Sequence, residues 1–101
     1  MDYKLIWSDD AIGELRRLVS SIARDNRVAA RAFGQKLLAK VQPLSSFPRL
    51  GRVYARLGRD DVRELPVPPC RVIYRVHDAE QTVTILIVWH GTMQQPPRPP
   101  V

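Results

Sequence analysis

The sequence predicts an α+β domain: a short strand, a two-helix hairpin, then three antiparallel strands, with the helices packed on one face of a small antiparallel sheet. Three observations predict it. Apolar residues recur at three-and-four spacing through the first 44 positions, they alternate with a period of two after position 62, and turn-forming residues separate the segments.

Tyr3-Lys4-Leu5-Ile6-Trp7 is a β-rich run. Ser8 follows as a helix N-cap, with Asp9 and Asp10 in the first turn, where the helix dipole favours acids. Ile12, Leu15, Leu18, Val19 and Ile22 form the apolar stripe of the first helix, with Glu14, Arg16, Arg17 and Arg24 off it. Asp25-Asn26 marks a turn, and a second helix runs from about Arg27 through Ala30, Phe33, Leu37 and Val41 toward Leu44. Pro43 should kink or end its last turn. From Ser45 to about Asp61 the composition reads as loop, holding Arg49, Arg52, Arg56 and Arg59. That is long for a connector without structure, so it is either functional or hides a short strand.

Three strands follow, around Arg63-Glu64-Leu65, over Arg71 to His77 and over Thr82 to His90. Pro66, Pro68 and Pro69 bound the first of them and suit an edge or a loop. In the middle strand Val72, Tyr74 and Val76 share one face, and Arg71, Ile73, Arg75 and His77 the other. In the last strand Val83, Ile85, Ile87 and Trp89 are the more uniformly apolar set. Packing the apolar faces under the helices puts Tyr74 and Trp89 in the core and leaves Arg71, Arg75 and His90 together on an open face. Pairing of the first strand with the last would close the sheet.

With 101 residues the chain is large enough for one domain burying roughly 65% of the surface its unfolded form exposes. The expected organisation is a single domain over 1–93 and a Pro-rich tail, 94–101, extended or disordered. One cysteine, Cys70, precludes an internal disulfide; it has no acid or histidine beside it, which argues against a catalytic thiol. No secretory signal opens the sequence and no apolar run has the ~20 residues of a membrane span, so a cytoplasmic protein without membrane contact is expected. No metal or cofactor is called for. Sixteen Lys plus Arg against ten Asp plus Glu give a charge of +6, and thirteen of the sixteen are arginine. Arginine's planar bidentate fork suits phosphate and carboxylate, so the partner is anionic: nucleic acid or an acidic protein segment.

Trp7-Ser8 ahead of a helix pair, Phe47-Pro48-Arg49-Leu50-Gly51-Arg52, Arg63-Glu64-Leu65, Arg71-Val72-Ile73-Tyr74-Arg75-Val76 and Val88-Trp89-His90-Gly91 stand in an order and spacing that resemble the RelE/ParE toxin superfamily over about ninety residues. The resemblance implies the toxin of a type II toxin–antitoxin pair, of the kind that stabilises plasmids, neutralised by a cognate antitoxin and reaching operator DNA only through it. In the nuclease branch, a ribosome-dependent mRNA endoribonuclease, the phosphate-clamping arginine matches Arg71 and a C-terminal histidine matches His90. Such chemistry needs a base, a phosphate clamp and an acid.

The rest of the nuclease set does not carry over. Where RelE-like members have two lysines this chain has Val62 and Glu64, and no tyrosine follows Tyr74. These departures resemble the ParE branch, whose members block DNA gyrase by binding rather than by catalysis. The expected contacts of such a binding toxin are Arg52, Arg56, Arg59, Arg63, Arg71, Arg75 and His90, with no catalytic residue. The alternative is the ribonuclease, acting on ribosome and mRNA through Arg71 and His90. A third reading is a non-toxic module that only binds antitoxin or DNA. Against each functional role stands a plainer one: Arg63 and Glu64 pair with neighbouring strands, the loop arginines are solvated charge, and His90 ends its strand.

Overall fold

The computed structural model describes residues 2–91, 96 and 98–101, so residues 94, 95 and 97 of the tail lie outside the described residues. Eight elements follow one another. They are β1 (Lys4–Trp7), α1 (Asp9–Asp25), α2 (Arg27–Val41), a 3-10 turn (Gln42–Ser45), β2 (Arg52–Val53), β3 (Val62–Val67), β4 (Cys70–His77) and β5 (Thr82–His90). They form an α+β fold, a helical hairpin on one face of a five-stranded sheet with order β1-β5-β4-β3-β2. The helical hairpin and the three antiparallel strands are as the periodicity predicts. β1 does pair with β5, but in parallel, so the sheet is mixed.

Local chemistry sets the boundaries. Ser8 caps α1 by accepting the Ala11 amide, and Asn26 caps α2 by accepting that of Ala29, which lets one helix follow the other with a single residue between them. Pro43 has no N–H to continue α2, and the chain tightens there into the 3-10 turn. Ser45 then lashes that turn to the start of the sheet: its Oγ donates to the Tyr3 carbonyl and its own carbonyl accepts the Tyr3 amide, both at 2.7 Å. The long connector does hide a short strand, β2, which covers only Arg63 and Glu64 of β3. Beyond Glu64 the outer side of β3 is therefore an edge, and Pro66 sits there without costing a ladder bond. Pro68 and Pro69, joined by a cis peptide, make the two-residue turn into β4.

The main core lies between the hairpin and the sheet. Leu37, Val41 and Leu44 meet Val72, Tyr74, Val76, Val83 and Ile85, all essentially without solvent exposure. Each such side chain contributes about 1.5–3 kcal/mol relative to remaining exposed. A second cluster lies on the opposite face, made of Ile73, Val62, Leu86 and Ile87 under Tyr54, with Leu57 and Trp89 packed beside it. The face expected to be open is thus covered along part of its length by the 54–61 segment.

The register of β5 on β4 explains a second departure. Ile73 pairs with Ile87 but its neighbour Tyr74 pairs with Ile85, leaving Leu86 as a bulge. One extra residue inverts the alternation beyond it. Val83 and Ile85 face the helices as expected, whereas Ile87 and Trp89 turn to the other side and Val88 joins the main core. Trp89 is therefore not the anchor beneath the helices that strict alternation predicts.

Candidate functional site: an arginine-rich face

The sheet face away from the helices and the 54–61 segment that crosses it bring together Arg52, Arg56, Arg59, Arg71 and Arg75 with Asp61 and Glu64. Arg63, opposite Tyr74, lies on the helix side and joins Arg49, Asp60 and Asp78 at the edge of the sheet. Arg49 spans two carboxylates, donating through Nε to Asp60 at 2.9 Å and through both terminal nitrogens to Asp78 at 3.1 and 2.9 Å. Asp60 also accepts from Arg63 at 2.6 Å. Asp61 accepts two bonds from Arg59 and one from Arg75. Glu64 accepts from Arg52 at 3.0 Å, with Arg71 at 3.8 Å. Arg56 differs from these: among the described residues it has no carboxylate partner, and its Nη1 donates to the carbonyl of Pro96 at 3.0 Å.

These partnerships perturb the acids in one direction. The hydrogen bond from Arg49, helped by the Tyr3 hydroxyl, holds the Asp78 carboxyl down to about 2. Arg49 and Arg63 lower Asp60, and Arg59 lowers Asp61 against an opposing effect of burial. All three acids remain ionised at neutral pH. Seven guanidinium groups against four carboxylates leave a surplus of three positive charges. Two arginines share Asp61, two share Glu64, and Arg56 stands apart, so the surplus is concentrated on the middle of the face and not on the Arg49 loop.

The scaffold under this face is held by a close backbone approach. The Tyr74 hydroxyl accepts the Gly51 amide at 2.9 Å, and Arg63 Nη1 donates to the Gly51 carbonyl at 3.0 Å. A Cβ on Gly51 would stand 2.5 Å from the Glu64 carbonyl oxygen and 2.8 Å from the Tyr74 hydroxyl, so only glycine fits. Burial raises the Tyr74 phenol, which stays protonated and in the core, as its alternation predicts.

Of the residues singled out from sequence, Arg71 and Arg75 share this face, Arg52, Arg56 and Arg59 are gathered around it by β2 and the 54–61 segment, and Arg63, opposite Tyr74, lies on the helix side. His90 is off this face as well. It pairs with Cys70, a member of the helix-side core, while Arg71 pairs with Trp89 on the other face. The expectation of Arg71, Arg75 and His90 on one face fails at His90 because of the bulge at Leu86. Arg63 is the most structural of the set, with a side chain 13% exposed and bonds to Asp60 and to the carbonyls of Asp60, Arg49 and Gly51. Sequence reasoning missed Glu64 as a buried acid, 4% exposed, and Tyr54 as the lid of the second cluster. The interleaving of acid and base in Arg59-Asp60-Asp61 and Arg63-Glu64 was the available signal.

Around Glu64 a cleft of about 320 Å³ opens between β2, the 54–56 stretch and β4, with Arg52, Arg56 and Arg71 on its walls, Tyr54 beside them and Pro96 at its side. Nothing in it is arranged as a metal site; among the described residues no group of three metal-ligating side chains occurs. Cys70 is buried and its thiol is pushed up by desolvation, which keeps it from acting as a thiolate nucleophile.

The family model for the ParE toxin of the type II toxin–antitoxin system parDE matches residues 5–95. The chain belongs to the ParE toxin family. Solved structures share its fold. A chain of the chromosomal ParDE system from P. aeruginosa superposes with a TM-score of 0.71 at 20% identity, covering 87% of this chain and 95% of that one. The toxin–antitoxin complex RelBE from E. coli gives a TM-score of 0.64 at 22% identity over 88% and 96% of the two chains. RelBE2 from Mycobacterium tuberculosis gives 0.57 at 26% identity over 90% and 100%. Comparison with curated protein sequences finds no match. Among the described residues of this ParE-family toxin, no helix is long and apolar enough to cross a membrane.

Proposed function

We propose that this ParE-family toxin acts in the cytoplasm by binding DNA gyrase through its arginine-rich face, without catalysis, and that a cognate antitoxin neutralises it. The observation that carries the reading is the separation of Arg71 from His90. A ribonuclease of this superfamily would need its phosphate clamp and its proton donor on one substrate, and here they lie on opposite faces of the sheet. Glu64 adds to this, because its carboxylate stands 3.8 Å from Arg71 and would repel a phosphate there. A face with surplus positive charge suits a surface contact with an acidic protein or with protein-bound DNA. Arg52, Arg56, Arg59, Arg71 and Arg75 are the contact residues in this reading, with Arg63 maintaining their scaffold and His90 outside the patch. The antitoxin partner is supported by the likeness to chains solved as toxin–antitoxin complexes, and operator DNA would be reached through it.

The test is a supercoiling assay with purified toxin and gyrase. Inhibition with accumulation of cleaved DNA is expected, relieved by the antitoxin and weakened by charge removal at Arg56 and Arg75. Unchanged supercoiling at saturating toxin, together with cleavage of ribosome-bound mRNA that Arg71→Ala abolishes, would replace this reading with the nuclease one. Normal growth on strong expression without antitoxin would point to the non-toxic binding module.

A further inference from the structure

The Pro96 carbonyl lies at one side of the arginine cleft. Two donors converge on it, the Tyr54 hydroxyl and Arg56 Nη1, each at 3.0 Å. Pro96 is fully buried although its neighbours in sequence are prolines and polar residues, and Pro99 is buried as well. A proline-rich segment suits this role, because it offers carbonyl acceptors without N–H groups to satisfy and is extended before it docks.

The match in charge is incomplete. Arg52, Arg56 and Arg71 line the cleft against a single carboxylate, Glu64, and the carbonyl that takes up the donors of Tyr54 and Arg56 is neutral. An anionic oxygen at the same point would form charge-assisted bonds, roughly twice as strong as those to a neutral acceptor. The Tyr54 phenol is raised by burial and remains a donor to either. We propose that this cleft is a binding site for an anionic oxygen and that the Pro96 carbonyl occupies two of its donors in cis, so that a ligand reaches Arg56 and Tyr54 only by displacing Pro96. The contact is autoinhibitory, and it holds whichever target the arginine face meets.

The experiment compares the full chain with a chain ending at Gly91, titrating inorganic phosphate and, separately, acetate, and following the Tyr54 ring and arginine side-chain resonances by NMR. The shortened chain should bind about tenfold more tightly, the scale set by two protein hydrogen bonds released from competition. A peptide of residues 94–101 added in trans should compete with the anion in the shortened chain. Tighter binding of phosphate than acetate would assign the oxygen to a phosphate group, and the reverse to a carboxylate. Equal affinities in the two chains, or failure of the peptide to compete, would overturn the proposal. If the shortened chain does not fold, the full chain decides: Tyr54→Phe with Arg56→Gln should lower the heteronuclear NOE of the Arg98 amide, and an unchanged value overturns the proposal.

Discussion

The hydroxyl of Ser8 reaches across to Leu86: Oγ donates to the Leu86 carbonyl at 3.0 Å while accepting the Ala11 amide at the start of α1. β1 ends at Trp7 opposite Ile85, so the edge of β5 beyond that point has no strand to pair with. Two side chains from α1 replace it, Ser8 at the Leu86 carbonyl and Glu14 at the Val88 amide, the latter at 2.9 Å. The helix N-terminus therefore stabilises the bulge that determines which face Trp89 and His90 occupy.

Ser8→Ala removes a helix cap and leaves a bulge carbonyl without its donor. Each loss is on the order of 1 kcal/mol, so a drop of about 1–3 kcal/mol in unfolding free energy is expected from denaturant titration. Hydrogen exchange should quicken at the Leu86 to Val88 amides more than in the middle of β4. Uniform quickening would mean that the hydroxyl only caps the helix.

The same bulge marks the limit of what the sequence discloses. Helix caps, the end of α2 at Pro43 and the core placement of Tyr74 follow from local chemistry and period, and each is found as read. Strict alternation failed in β5 because Leu86-Ile87-Val88 is apolar on every side, and a run without contrast does not reveal an inserted residue. The arginines were legible as a group. Their pairing was not, because Asp78 and Glu64 come to Arg49 and Arg52 across 29 and 12 positions of chain.

Glu64 is buried and held by two arginines of unequal exposure, Arg52 at 73% and Arg71 at 30%. Removing either one alone leaves the carboxylate a partner, and about 1 kcal/mol or less is expected for Arg52→Ala. Removing both leaves a buried charge unpaired, for which about 3–5 kcal/mol is expected. A double-mutant cycle on unfolding free energies checks the non-additivity. Simple addition of the two single effects would show that water replaces the arginines at Glu64.

Asp78 gives the acid limb of stability at the Arg49 loop. Its folded value is about 2 against an ordinary 3.8, so it favours the folded state above pH 3.8, and that contribution is lost as pH falls toward 2. The Asp78 carboxyl carbon should titrate near 2 by NMR, and Arg49→Ala should return it toward the ordinary value. A wild-type midpoint already near 3.8 would mean that Arg49 does not hold the carboxylate in solution.

Gly51→Ala tests the close approach beneath the arginine face. The new methyl would meet the Glu64 carbonyl oxygen, a backbone atom that moves only if β2 separates from β3, and the Tyr74 hydroxyl behind it. Separation would break the Gly51 amide bond to Tyr74 and release Arg63 from the Gly51 carbonyl. A loss of about 2–3 kcal/mol is expected, the range for overpacking combined with a buried unsatisfied donor. Tyr74→Phe separates the two causes: it removes the hydroxyl without adding volume, and should cost about 1–2 kcal/mol. If Gly51→Ala costs no more than Tyr74→Phe, the backbone contact with Glu64 is relieved by a small shift, and the hydrogen bond alone fixes β2 against the sheet.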